Sequence, residues 1–186
     1  MPATKSTRKA KPDLRTAATR LVEAALETES EAAQRKAVSD VLAAFEGSTP
    51  ADFKTALRTL GDGLSQTQGR GTQVLYLTLG ALVESGASAE VAWPTIARGL
   101  RDRLRGAAEF ARALLKRAPE DGDDEALALA ATELARSRPR DAAAWQELPS
   151  HCLAALACLT RSAKIRKSIR KDGAVIYTKQ TKTHNK

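Results

Sequence analysis

Apolar residues recur along this chain at intervals of three and four, the spacing that gathers them on one face of an α-helix. Leu14, Ala17, Ala18, Leu21, Ala25 and Leu26 form the first stripe, with Asp13 placed to cap it. Ala37, Val38, Val41, Leu42 and Phe45 form the second, which Gly47 ends. Thr28–Glu31 reads as a capping box between the two, or as part of one continuous helix. Thr49-Pro50-Ala51-Asp52 predicts a clear helix start: a capping hydroxyl, a proline in the first turn and a carboxylate against the positive end of the dipole. Phe53, Ala56, Leu57 and Leu60 follow as its buried stripe.

The glycine-rich run 61–71 reads as a flexible break. Residues 72–86 are the most apolar segment, and Val74–Leu79 alone would pass for a strand. A buried helix is the better reading, because no second strand is available to take up its backbone hydrogen bonds. Residues 88–118 hold the strongest amphipathic pattern, including Trp93, Ile96, Leu100, Leu104, Leu114 and Leu115, with Pro94 in the first turn or at a kink. Ala118-Pro119 should stop this helix. An acidic connector, 119–125, leads to a shorter stripe of Ala126, Leu127, Ala130, Ala131 and Leu134. After a break at 137–141, residues 142–171 read as one helix interrupted or kinked near Pro149, with Gly173 as its C-terminal stop. On this last helix Cys152, Leu156, Leu159 and Ala163 are expected as the main buried stripe. Ala154, Cys158, Ile165 and Ile169 form a second apolar seam.

The expected fold is therefore all-α: a single-domain helical bundle, or stacked helical hairpins, of about six or seven helices. Composition agrees. The chain is rich in Ala and Leu and has two Trp, two Tyr and three Phe. Trp93 and Trp145 sit in similar local contexts, but the similarity does not extend into a repeat. The 186 residues divide into a disordered basic tail over 1–12, a helical domain over 13–172 and a flexible basic tail over 173–186.

Charge refines this picture. The net charge of +8 belongs to the ends: 1–12 carry +4, 161–186 carry +8, and the body between them carries −4. Basic ends on a mildly acidic body argue less for nucleic acid than a basic body would. No apolar run approaches the roughly 20 residues that span a bilayer. The charged N-terminal run does not look like a secretory signal, so a cytoplasmic protein is expected.

Few residues offer catalytic chemistry. His184 lies in the polar tail. His151 and Cys152 are adjacent, which on a helix turns them about 100° apart, too far to share a proton or a metal. Cys152 and Cys158 read as small core residues and His151 as a first-turn residue. "GRGTQV" (69–74) lacks the preceding strand that gives a phosphate loop its meaning. Asp121, Asp123, Asp124 and Glu125 read as helix-start acids and lack the alternation of a calcium loop. No metal, cofactor or catalytic residue is implied.

Two basic surfaces are the candidate sites. One is the run Arg161, Lys164, Arg166, Lys167, Arg170 and Lys171; the other is Arg98, Arg101 and Arg105 on one face of a helix whose other face carries Leu100 and Leu104. The function expected from these features is non-enzymatic binding of a protein partner, as an adaptor, regulator or inhibitor-type module. The alternative is a nucleic-acid-binding protein that contacts phosphates through the basic C-terminal helix and tails.

Overall fold

A computed structural model describes residues 13–27, 30–117 and 123–171. The expectations for the two basic tails, for Thr28, for the stop at Ala118-Pro119 and for Gly173 lie outside these residues. Eight helices and no strand occur among the described residues, packed as one bundle. They are α1 (Leu14–Leu26), α2 (Glu31–Phe45), α3 (Pro50–Gly63), α4 (Arg70–Glu84), α5 (Ala89–Leu115), α6 (Asp124–Ser137), α7 (Pro139–Arg161) and α8 (163–171).

The starts follow the capping chemistry. Asp13 accepts the Thr16 N–H at 2.8 Å. Ser30 accepts the Ala33 N–H at 3.2 Å, so α1 and α2 are separate helices. Thr49 and Asp52 form a full capping box ahead of α3, and Asp123 caps α6. Residues 70–84 are helical, as their isolation as a strand required.

The core is built from α1, α2, α3, α4, α5 and α7, with Ile165 added from α8. Leu14, Leu21, Leu60, Leu75, Leu79, Leu82 and Ile96 are its largest apolar members. α7 packs most extensively on α5 and next on α4. A satellite cluster of Phe110, Leu134 and Ala142 holds α6.

Four expectations need correction. The break in the run 61–71 is confined to 64–69. Gly61 and Gly63 belong to α3, and Gly71 belongs to the first turn of α4. A Cβ on Gly63 would fall 2.7 Å from a Val22 methyl, and one on Gly71 would fall 2.1 Å from the Ala25 carbonyl oxygen. These glycines are where α3 and α4 press against α1; only Gly69, at φ 56°, serves a turn.

Pro149 does not interrupt the last helix either, since α7 runs unbroken through it. Pro149 faces outward, where water can reach the carbonyl its ring leaves unbonded. The break comes at Ser162, whose extended backbone ends α7 and whose hydroxyl oxygen accepts the Ile165 N–H at 3.2 Å to start α8.

The buried face of α7 also differs from the expected one. Ala144, Ala154, Ala155, Ala157 and Cys158 are inside, while Cys152, Leu153 and Leu156 are exposed and Leu159 is half-buried. Glycines on the neighbouring helices set this. A Cβ on Gly80 of α4 would meet the Ala154 Cα at 3.1 Å, and one on Gly106 of α5 would meet the Ala144 Cβ at 2.6 Å. Backbones this close admit alanine and exclude leucine. Ile165 continues the buried face, whereas Ile169 and Ala163 are exposed.

Finally, Leu26, Leu42, Leu104 and Leu115 sit in the expected stripes yet are exposed. Each lies at the margin of its helix's buried arc or near a helix end.

Candidate functional site

α7 carries unusual chemistry on both of its faces. On the inner face Glu147 and His151 stand one turn apart, and both are buried. The Glu147 carboxylate accepts from Arg103 Nε of α5 at 2.6 Å through one oxygen and from the Gly69 N–H at 2.9 Å through the other. One buried anion thereby ties α7 to α5 and to the turn that opens α4. A carboxylate so far from water needs such partners to offset the hydration it has lost.

His151 Nδ1 lies 2.9 Å from the Glu147 carbonyl oxygen. A carbonyl only accepts, so Nδ1 carries the proton and Nε2 is left with its lone pair. The ring packs against Tyr76 of α4, with centroids 3.6 Å apart and the planes tilted by 34°. Burial pushes the imidazole down to about 4, helped by the Arg103 charge against a raising contribution from the Glu147 carbonyl. Burial likewise pushes the Tyr76 phenol up to about 12. At neutral pH the pair is a neutral acceptor beside a neutral donor.

These rings border a cleft of about 230 Å³ between the end of α3, the start of α4, the middle of α5 and α7. Thr95, Arg98, Gly99 and Asp102 of α5 line its other side. Gly99 makes room for this ring, because a Cβ at that position would fall 1.7 Å from the Tyr76 hydroxyl and displace it.

The outer face of α7 is apolar and open. Trp145, Pro149, Cys152 and Leu156 follow one another at spacings of four, three and four, with Leu153 beside them. Trp145 is 49 % exposed, Leu153 56 % and Leu156 55 %, and Leu77 of α4 adds another 45 % exposed leucine alongside. Leu77, Leu153 and Leu156 wall a hollow of about 200 Å³ whose floor is Gly80, Ala81, Ala154 and Ala157. Scattered exposed apolar side chains are ordinary on a protein surface; a continuous apolar row along one helix is not.

The structure divides the predicted basic run. Arg161 donates to the Glu84 carbonyl oxygen, and Arg166 donates to the carbonyl oxygens of Leu159 and Thr160. Both arginines thus serve helix C-termini, α4 and α7. Lys164, Lys167, Arg170 and Lys171 lie exposed on α8. Arg98, Arg101 and Arg105 are exposed on α5, and Arg98 lines the cleft. Leu104, expected on the buried side of that helix, is exposed, and Leu100 is half-buried. Cys152 is exposed and Cys158 buried, so only the latter is a core residue; His151 lies mid-helix and not in a first turn. Asp123, Asp124 and Glu125 cap and open α6 as expected, while Asp121 and His184 lie outside the described residues. No helix among the described residues is long and apolar enough to cross a membrane.

Glu147, Arg103 and Tyr76 were not among the expected site residues. The signal was present: Glu147, His151, Ala154 and Cys158 fall on one helical face. Reading it required knowing that this face, and not the leucine face, turns inward. No protein-family model, curated protein or solved structure matches this chain, so the functional reading rests on these residues alone.

Proposed function

We propose that this protein is a non-enzymatic binding module that receives an amphipathic helix of a partner protein along the outer face of α7. The observation that carries the reading is the uninterrupted apolar row Trp145, Pro149, Cys152 and Leu156, flanked by Leu153 and Leu77. Its four-three-four spacing is that of one seam of a helix pair. From Trp145 to Leu156 the row is about 17 Å long, the reach of some three turns of a partner helix. Trp145 is the residue type that most often anchors such contacts, and the small-residue floor beside Leu77 accepts an apolar side chain. Arg161 and Arg166 are exposed where α7 ends and α8 begins. They favour a partner helix with carboxylates at that end.

The test is selection of 15-residue helices from a random library against the purified protein, followed by calorimetric titration of the selected sequences. The expected ligands carry apolar residues at helical spacing and acidic residues at one end. Leu153→Glu combined with Leu156→Glu should weaken their binding at least about tenfold while leaving the melting temperature unchanged, since both side chains are solvent-facing. Selected peptides that bind the double variant equally well would overturn the proposal. So would a self-association in sedimentation that the double variant abolishes, because the row would then belong to a second copy of this chain. Salt-sensitive binding to a random-sequence duplex, lost on changing Lys164, Lys167, Arg170 and Lys171 to alanine and unaccompanied by helix binding, would give the nucleic-acid reading its place.

A further inference from the structure

We propose that the cleft between α3, α4, α5 and α7 is a binding site for a small metabolite bearing a carboxylate or phosphate group together with a hydroxyl or amino donor. It is separate from the outer face of α7 and does not depend on it.

Two buried side chains point to a ligand. Tyr76 and His151 are respectively 4 % and 1 % exposed. Neither the Tyr76 hydroxyl nor His151 Nε2 has a hydrogen-bond partner among the described residues. Buried polar atoms are almost always paired. Here they are not sealed in either: among the described residues the enclosed side-chain atom without a partner is Gln34 Oε1, at a different place, whereas Tyr76 and His151 both border the cleft. The phenol offers a proton and Nε2 offers a lone pair, a donor and an acceptor on two rings in direct contact.

The rest of the wall selects charge. Arg103 is committed to Glu147, so its charge is spent within the protein. Arg98 is exposed at the cleft and makes no ion pair with a described residue. It supplies the unspent cation for a carboxylate or phosphate. Asp102 and the Thr95 hydroxyl stand on the same helix face and, with His151 Nε2, call for N–H or O–H groups on the same molecule. A cleft of about 230 Å³ is below the range typical of drug-sized ligands, which confines the ligand to a small metabolite. The missing side chain of Gly99 leaves the Tyr76 hydroxyl room at the wall.

The experiment is a titration of ¹⁵N-labelled protein with three sets of compounds at millimolar concentration: hydroxycarboxylates, amino acids and sugar phosphates. The first two carry the carboxylate and the third the phosphate. The readouts are the His151 Nε2 resonance and the Gly99 amide. One set should shift both signals saturably. Tyr76→Phe should weaken that binding by about three- to tenfold, and Arg98→Gln by roughly tenfold. Both variants should keep the wild-type melting temperature, since neither group holds a partner in the protein. Absence of any saturable shift would overturn the proposal and leave the cleft to water. Binding that is equally tight in Tyr76→Phe and Arg98→Gln would overturn it as well, by placing the compound elsewhere.

Discussion

Acidification tests the inner face of α7 directly. His151 is buried, packed against Tyr76 and held by the Glu147 carbonyl, and its imidazole is pushed down to about 4 from an ordinary value of 6.5. Its folded-state value lies below its unfolded one. Its contribution to stability is therefore complete above pH 6.5, and it is lost as pH falls from there toward 4, because the unfolded chain takes up a proton that the folded chain declines. Between pH 7.5 and pH 5 the loss comes to about 2 kcal/mol. For a domain of this size that lowers the melting temperature by roughly 4–8 °C. The groups around the ring act in a known sense: Arg103 opposes protonation and the Glu147 carbonyl favours it, while the Glu147 carboxylate is turned to Arg103 and Gly69.

Urea unfolding of the wild type and of His151→Phe across this range provides the assay. Subtracting one curve from the other removes every other titrating group, including His184. Asp13, Asp52 and Glu90 are held below the usual carboxylate range by hydrogen bonds, and Glu31 by its bond to Arg70. Their contributions fall away at more acidic pH than this window. The wild type should lose stability at a rate approaching 1.4 kcal/mol per pH unit near pH 5, a rough limit for one proton. His151→Phe should lack that slope, whatever its offset at pH 7.5. Parallel curves for the two proteins would refute the reasoning, since they would mean that the folded chain protonates His151 as readily as the unfolded one.

Two further outcomes follow from the packing. Arg103→Ala strands the Glu147 carboxylate with only the Gly69 N–H, and urea midpoints should show a loss of about 2–3 kcal/mol, reduced by the partial exposure of Arg103; the double change Arg103→Met with Glu147→Leu should recover much of that loss, as apolar replacement of a buried pair often does. Ile165→Ala should cost about 2–4 kcal/mol in the docking of α8, read as faster amide exchange over 163–171, whereas Ile169→Ala, at an exposed position, should change exchange little.

Element starts were legible because they rest on local chemistry. Asp13, the Thr49–Asp52 box and Asp123 each satisfy N–H groups within three residues, so no distant partner is needed to read them. The helix over 70–84 was legible by elimination of its strand alternative. The glycines were not, because the same residue serves a turn at Gly69 and a helix crossing at Gly63 and Gly71, and only the neighbouring α1 distinguishes the two uses. The candidate site failed for the same reason. Which way α7 faces is decided by Gly80 on α4 and Gly106 on α5, and its own sequence holds two apolar arcs of which the leucine-rich one looked the stronger.

That inversion links the two proposals. Burial by itself selects leucine and tryptophan inside and glutamate and histidine outside. On α7 the arrangement is reversed over three turns: Glu147 and His151 are enclosed while Trp145, Leu153 and Leu156 face solvent. Turning the leucine arc inward would collide with the close approaches at Ala144 and Ala154, so the reversal is built into the neighbouring helices as well as α7. Enclosing the Glu147 carboxylate then requires hydrogen-bond partners, and Arg103 and the Gly69 amide are supplied from separate elements. Arg103 and His151 both line the cleft behind α7, and the same orientation opens the apolar row in front of it. A helix set this way exchanges the stability of a leucine-filled interface for two presented surfaces, one polar and one apolar, on opposite sides of a single rigid element.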